Sequence, residues 1–227
     1  MVLGSGGFMN DLVFYGGLNA ATFGNQQFTM RNLTFYNAVT AINQIWDWGW
    51  TYKSISINNC STGLNMSSVN PSTGGQSVGS VTFIDSSISN TKVGIATAHD
   101  ANSQPPTAGS LILENVQLKN VPVAVSGPGG SIALAGTTGT TTIAAWGQGH
   151  SYLPNSPNVF EGPIDPFPRP GSLLSGQGRF YERSKPQYGT NPLSQFVSVR
   201  SMGAKGDGGM YNSSYGILLL RGVDSYR

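Results

Sequence analysis

One short pattern constrains this chain more than any other feature: an apolar residue, any residue, an apolar residue, any residue, then Asn or a substitute. It runs Leu12-Val13-Phe14-Tyr15-Gly16, Leu33-Thr34-Phe35-Tyr36-Asn37, Ile55-Ser56-Ile57-Asn58-Asn59, Val81-Thr82-Phe83-Ile84-Asp85 and Leu111-Ile112-Leu113-Glu114-Asn115, with Ile132-Ala133-Leu134 as a possible sixth copy. Between second apolar positions the copies lie 21, 22, 26 and 30 residues apart. The second to fifth copies are each followed by another apolar element, at residues 39–42, 63–64, 93–95 and 121–125. The alternation puts Leu33 and Phe35 on one face and Thr34 on the other, which is a strand with one buried side. Repeats of about 20 to 30 residues with two or three short strands and turn residues between them describe a β-solenoid.

Stacked at about 4.8 Å, such coils predict an inner ladder of Phe14, Phe35, Ile57, Phe83 and Leu113. The aligned Asn37, Asn59, Asp85 and Asn115 suit an inward or turn position where side-chain amides bond from coil to coil. A row of ligands is the functional alternative. The longer repeats loop out at residues 69–77 and 98–107, which are rich in Pro, Ser and Gly and therefore surface. Residues 152–192 hold most of the prolines, with aromatics between them, and exclude a helix or a central strand. They are expected to form an extended connection packed over a neighbouring surface. Alternation resumes at Phe196.

Composition fits this reading. Only 10% of residues are charged, against roughly 25% in an average soluble protein, and surface helices need such charge. A net charge of +2 offers no field for phosphates, so a nucleic-acid partner is not expected. The single Cys60 excludes an intrachain disulfide and a multi-cysteine zinc site. No apolar run of about 18 residues is present, so no membrane span is expected. The N-terminus lacks the basic start and apolar stretch of a signal peptide. The chain is expected to begin partway along a longer protein.

Residues 199–208, ending Gly203-Ala204-Lys205-Gly206-Asp207-Gly208, resemble the opening of the pectate-lyase-like right-handed β-helices. Together with Gly4-Ser5-Gly6-Gly7-Phe8-Met9-Asn10-Asp11, Gly24-Asn25-Gln26-Gln27-Phe28-Thr29-Met30-Arg31-Asn32, Ile42-Asn43-Gln44-Ile45-Trp46-Asp47-Trp48-Gly49-Trp50 and the Pro-rich connection, the chain resembles the fungal exo-β-1,3-glucanases of glycoside hydrolase family 55. The likeness covers residues 2–207. It implies an all-β fold, a right-handed single-stranded parallel β-helix followed by a long irregular connection. Residues 1–149 would be coils of a first helix, 150–194 the inter-helix connection, 195–208 the first strand of a second helix and 209–227 an aberrant tail.

The same resemblance implies a secreted, extracellular enzyme that releases sugar from the non-reducing end of β-1,3-glucan with inversion, monomeric when complete and needing no cofactor. Its general acid lies on the second helix, so no catalytic residue is assigned here and the fragment is expected to be inactive. The first helix would hold the attacking water and terminal sugar through uncharged amides and hydroxyls. Gln26, Gln27 and Gln44 lie in the matching stretches, with Ser67 or Ser68 one coil on. Asp47 stands among Trp46 and Trp48, aromatics of the kind that stack on sugar rings; the competing reading is a coil-filling Trp cluster with Asp47 capping a turn.

Other chemistry finds little footing. His99 and His150 have no partner at metal-ligand spacing, so no metal is expected. The Gly-rich stretches precede no helix that would bind phosphate. Neither the grouped acids of a calcium-dependent pectate lyase nor the grouped aspartates of a polygalacturonase are seen. Sequons at Asn32, Asn65 and Asn212 are candidate glycosylation sites; that at Asn59 is discounted for its ladder position. A non-catalytic carbohydrate-binding or structural β-solenoid, and a pectin-active β-helix, are the competing functions.

Overall fold

The computed structural model describes residues 6–100, 102, 103, 108–154, 156–183, 188 and 190–203. The chain divides into two compact units, residues 1–185 and 186–227.

In the first unit, alternating apolar runs form strands that pair in parallel from coil to coil. β1 (Phe8–Tyr15) and β2 (Asn19–Gly24) make one coil, and β3 (Gln27–Tyr36) and β4 (Thr40–Trp46) the next. β5 (Gly49–Lys53), β6 (Ser56–Asn58) and β7 (Thr62–Met66) follow, then β8 (Ser80–Ile84), β9 (Ser87–Ser89) and β10 (Val93–Thr97), and β11 (Ser110–Ser126) runs through a whole coil. The first face stacks β1, β3, β5, β8 and β11. The later halves of β1 and β3 continue into β6, β9 and the middle of β11 on the second. The third stacks β2, β4, β7, β10 and the end of β11. The architecture is a parallel β-helix.

One left-handed residue at each of two corners bends each coil from face to face. At the first corner these are Asp11, Asn32, Ser54, Asp85 and Asn115, with φ between 50° and 61°. At the second they are Gly16, Asn37, Asn59, Asn90 and Asn120. Asn and Asp tolerate this conformation because a short polar side chain can bond locally. Here it bonds along the stack: Asn32 Nδ2 to Asp11 Oδ1 at 2.8 Å, Asn115 to Asp85 at 2.6 Å, Asn59 to Asn37 at 2.8 Å and Asn120 to Asn90 at 3.1 Å.

The expected single ladder is therefore two. Phe14, Phe35 and Ile57 continue to Ile88 and Leu118, whereas Phe83 and Leu113 lie beneath Tyr52, Met30 and Met9. Each coil carries an apolar run and a polar corner twice, and matching by pattern slipped from the second to the first. In register, Ile57 to Ile88 is 31 residues rather than the 26 counted to Phe83. The rings report the coil repeat directly: Phe14 and Phe35 stack at 4.7 Å, and Phe28 on Trp50 at 5.1 Å.

Ile132-Ala133-Leu134 does not open a sixth parallel coil. After β11, Pro128–Gly130 makes a one-turn 3-10 helix with φ of 64° and 81° at Gly129 and Gly130. The chain then returns as β12 (Ile132–Leu153), antiparallel to β11, and β13 (Ser156–Pro163) pairs antiparallel to β12. Alternation is the same for either strand direction, so the sequence did not separate a further coil from a returning strand. The connection expected from residue 150 thus still holds strand at residues 150–153 and over Ser156–Pro163. Pro157 and Pro163 are tolerated because, among the described residues, β13 pairs only with β12.

Beyond β13 the connection lies over the first corner. Arg169 bonds Glu114 Oε1 through Nε at 3.0 Å and Nη2 at 2.6 Å, and Asp85 Oδ1 through Nη1 at 2.8 Å. Its guanidinium also sits 4.4 Å over the Phe180 ring. Glu114 points away from the coil interior yet is 2% exposed, because Arg169 covers it. Glu182 accepts from Lys53 Nζ at 2.8 Å and from Ser54 Oγ.

In the second unit, Leu193–Gln195 and Val199–Met202 are one-turn 3-10 helices. Among the described residues of the expected 195–208 strand, up to Gly203, no strand forms; residues 204–227, including Asn212 and the expected tail, lie outside the described residues.

Candidate functional site

Along one edge the third face returns to the first, and there the coils carry their connecting segments. The backbone stacks them: Trp48 N donates to Gln26 O at 2.7 Å, Asp47 bridges Val78, Gly109 N donates to Val78 O at 2.7 Å and Ser110 N to Gly79 O at 3.1 Å. The approach is close enough to require glycine, since a Cβ on Gly79 would lie 2.8 Å from the carbonyls of Asp47 and Trp48. Both long insertions, residues 67–79 and 98–109, leave from this edge.

The structure brings Gln26, Gln27, Trp46, Asp47, Trp48 and Ser67 to this edge in different environments. Gln27 is exposed, Gln26 half-buried, and Trp48 is 66% exposed. Ser67 is half-buried and tied to Asn65, whose Oδ1 accepts from its N–H at 3.1 Å and its hydroxyl at 2.7 Å. Gln44 lies inside instead, in the inward row of the third face between Phe23 and Met66, and is 0% exposed. Its Oε1 accepts from the Tyr52 hydroxyl at 2.5 Å and its Nε2 donates to Trp46 O at 3.2 Å.

Asp47 lies against this pair and is 3% exposed. Its Oδ1 accepts the N–H groups of Gly79 at 3.1 Å and Ser80 at 3.0 Å, bracing the next coil. Burial pushes its carboxyl up to about 6, against the opposing pull of the Ser80 and Gly79 N–H groups and the Gln44 amide. Burial, then the Asp47 charge, holds the Tyr52 phenol well above its ordinary range. Asp47 Oδ2 and Trp50 Nε1 are buried without a hydrogen-bond partner among the described residues.

On the next two coils the insertions border an open depression of about 310 Å³ lined by Thr73, Gln76, Asp100, Asn102 and Ser103 among others. Gln76 Nε2 donates to Ala98 O at 2.8 Å and Ser103 Oγ at 2.6 Å, joining the two loops. Behind it His99 is 3% exposed, bonds Ala108 O through Nδ1 at 2.9 Å and meets the His150 ring edge-on at 6.3 Å. Gln148, from β12, donates to Thr97 Oγ1 at 2.9 Å and Gly109 O at 2.8 Å. Sequence reasoning kept the two histidines apart and missed Gln76, Asn102 and Gln148; the lengthened repeats were the signal that chain was gathered here. Among the described residues no group of three His, Cys, Asp or Glu could hold a metal ion.

The sequon residues Asn32 and Asn65 both use their side-chain nitrogens in the stack, toward Asp11 and Asn43.

Residues 1–65 match the family described as rhamnogalacturonase A/epimerase, pectate lyase-like. Over 208 residues, 90% of the chain, the sequence is 48% identical to a glucan 1,3-beta-glucosidase of Cochliobolus carbonum, 26% of whose length is covered. A probable glucan endo-1,3-beta-glucosidase of Arthroderma benhamiae is 33% identical across 90% of the chain and 34% of its own length. The non-secreted LysM effector LysM19 of Penicillium expansum is 35% identical across 90% of the chain and 16% of its own length. The chain spans about a quarter to a third of the two glucosidases it matches.

Proposed function

We propose, on the premise that this chain is a relative of the fungal glucan 1,3-β-glucosidases built on a pectate-lyase-like β-helix, that it forms one β-helical part of a secreted hydrolase of β-1,3-glucan. The observation that carries the reading is 48% identity sustained across 90% of the chain.

Inverting cleavage from the non-reducing end needs a carboxylic acid at the leaving oxygen and a separately held water, the two carboxyls about 6.5–9.5 Å apart. Within this chain the exposed Gln27 and Trp48 and the half-buried Gln26 and Ser67 of the edge would meet sugar hydroxyls and a ring face. Gln44, Asp47 and Trp46 support them from beneath. The general acid would come from a second helix in the longer protein, so this chain alone does not hydrolyse glucan and the complete enzyme acts as a monomer. Residues 1–163 are then the first helix with its closing hairpin, residues 164–194 the connection, and the segment after 195 the entry to the second helix.

A chimera tests this: this chain replaces the matching segment of the Cochliobolus carbonum glucosidase. Release of reducing sugar from laminarin, and none from polygalacturonate, is the expected outcome. A folded chimera that leaves laminarin intact would sink the proposal. A non-catalytic carbohydrate-binding solenoid is the second reading, which that failure would favour.

A further inference from the structure

We infer that the β-helix carries N-linked oligosaccharide at two of its corners, on Asn32 and Asn59, and none at Asn65. Secretion, as proposed above, is the premise; which polysaccharide the longer protein cleaves does not enter.

All three residues open a sequon: Asn32-Leu33-Thr34, Asn59-Cys60-Ser61 and Asn65-Met66-Ser67. Asn32 and Asn59 hold φ of 50° and 54°, which turns the chain at the ridge between two faces, and both are exposed. Membership of a ladder therefore does not enclose Asn59. At the first corner Arg169 and Glu182 bind Asp85, Glu114 and Ser54 on later coils, and Asn32 stays outside that cover. The sequon hydroxyls are open as well: Ser61 is exposed, and Thr34 is half-buried on the outward row of β3.

In the transfer, Nδ2 attacks the anomeric carbon of an oligosaccharide carried on a polyprenyl diphosphate. The N–C bond forms, the bond from that carbon to the diphosphate oxygen breaks with its electron pair leaving on oxygen, and the amide gives up one proton. An Asn amide has two hydrogens. Asn32 Nδ2 donates one to Asp11 Oδ1 and Asn59 Nδ2 donates one to Asn37 Oδ1, each at 2.8 Å. The second is left for the sugar, and the corner keeps its bond. The substituted amide takes the trans form of a peptide, which sets the sugar carbon cis to Oδ1. At Asn65 that side is occupied, since Oδ1 accepts the Ser67 N–H at 3.1 Å and its hydroxyl at 2.7 Å. Asn65 is also half-buried in mid-face, between Asn43 and Ala96. Asn37, Asn90, Asn115 and Asn120 share the corner conformation but have Val39, Lys92, Gln117 and Pro122 where a sequon needs Ser or Thr.

The test places the 227-residue chain behind a yeast secretion leader and purifies from the medium the fraction that melts cooperatively. Peptide N-glycosidase in heavy-oxygen water then converts each occupied Asn to labelled Asp, read by mass spectrometry. Label at Asn32 and Asn59, and none at Asn65, is expected. Thr34→Val and Ser61→Ala should each remove one label, while both corner asparagines stay and the deglycosylated proteins melt as the wild type does. If the chain needs the rest of the longer protein to fold, the secreted Cochliobolus carbonum chimera is mapped in the same way and should give the same pattern. Label at Asn65 in folded protein, or its absence from Asn32 or Asn59, would overturn the assignment. A chimera glycosylated at both corners that leaves laminarin intact removes only the hydrolase reading, and one that cleaves laminarin without these glycans removes only the acceptor sites.

Discussion

Asp47 shows how one residue can brace a fold and respond to pH. It is nearly inaccessible, its Oδ1 holds two N–H groups of the next coil, and burial raises its carboxyl to about 6. An unfolded Asp titrates near 3.9. Between about pH 4 and pH 6 the folded chain therefore keeps a proton that the unfolded chain has released, and stability falls as pH rises through that window, by about 3 kcal/mol in total. Below it both states are protonated and the stabilisation is complete; above it the loss levels off. Asp47→Asn removes the titration while keeping an oxygen for Gly79 and Ser80. Urea unfolding at pH 4, 5, 6 and 7 should show the wild-type advantage over this variant shrinking steadily, and a constant difference would refute the account. The sequence made Asp47 visible through its tryptophans. It did not reveal that Gln44 faces inward, because strand alternation predicts an apolar residue there and only the Tyr52 hydroxyl explains an amide. Asp100 and Gln76 were illegible for another reason: they meet through loops whose paths no periodicity describes.

At the scale of the element, the corners decide whether coils close. Nine non-glycine residues hold the left-handed conformation at the two corners described, and a β-carbon there costs about 1–2 kcal/mol unless the side chain offsets it. Asn59 does so by donating to Asn37 at 2.8 Å. Asn59→Ala should cost about 2 kcal/mol through strain and the lost bond, whereas Asn59→Gly loses the bond but relieves the strain and should cost less than about 1 kcal/mol. Denaturant melts of the two variants measure the gap; equal losses would show that the stack, not the backbone conformation, sets the corner. The same corners explain what the repeat pattern disclosed. Strands, inward rows and an Asn stack were all visible in the sequence, yet Asp85 was aligned with Asn59 when its neighbours are Ser54 and Asn115. Two corners of like chemistry in one coil make register ambiguous wherever a loop lengthens the repeat. Direction was equally hidden at β12, where Ile132-Ala133-Leu134 alternates as a parallel coil would.

Across the first unit, the two terminal coils are finished differently. At one end β12 and β13 fold back over β11, and Trp146, 3% exposed, closes the stack beneath Leu113. At the other, among the described residues, β1 pairs only with β3 and β2 only with β4. Leu12, Val13, Tyr15 and Leu18 are 42%, 55%, 75% and 73% exposed there. A long unpaired edge with apolar side chains is a template for another chain, and a lysine on it is the usual natural defence. This chain should therefore self-associate through β1 and β2 and not through the hairpin end. Light scattering coupled to size exclusion should report a mass that rises with protein concentration, and the pair Val13→Lys with Tyr15→Lys should return it toward monomer. Lysines on β13 at Val159 and Glu161 should change nothing, because Pro157 and Pro163 already blunt that free edge. A wild-type chain that stays monomeric across the concentration range, or one released equally by substitutions at β13, would show that the open coil is not the adhesive surface.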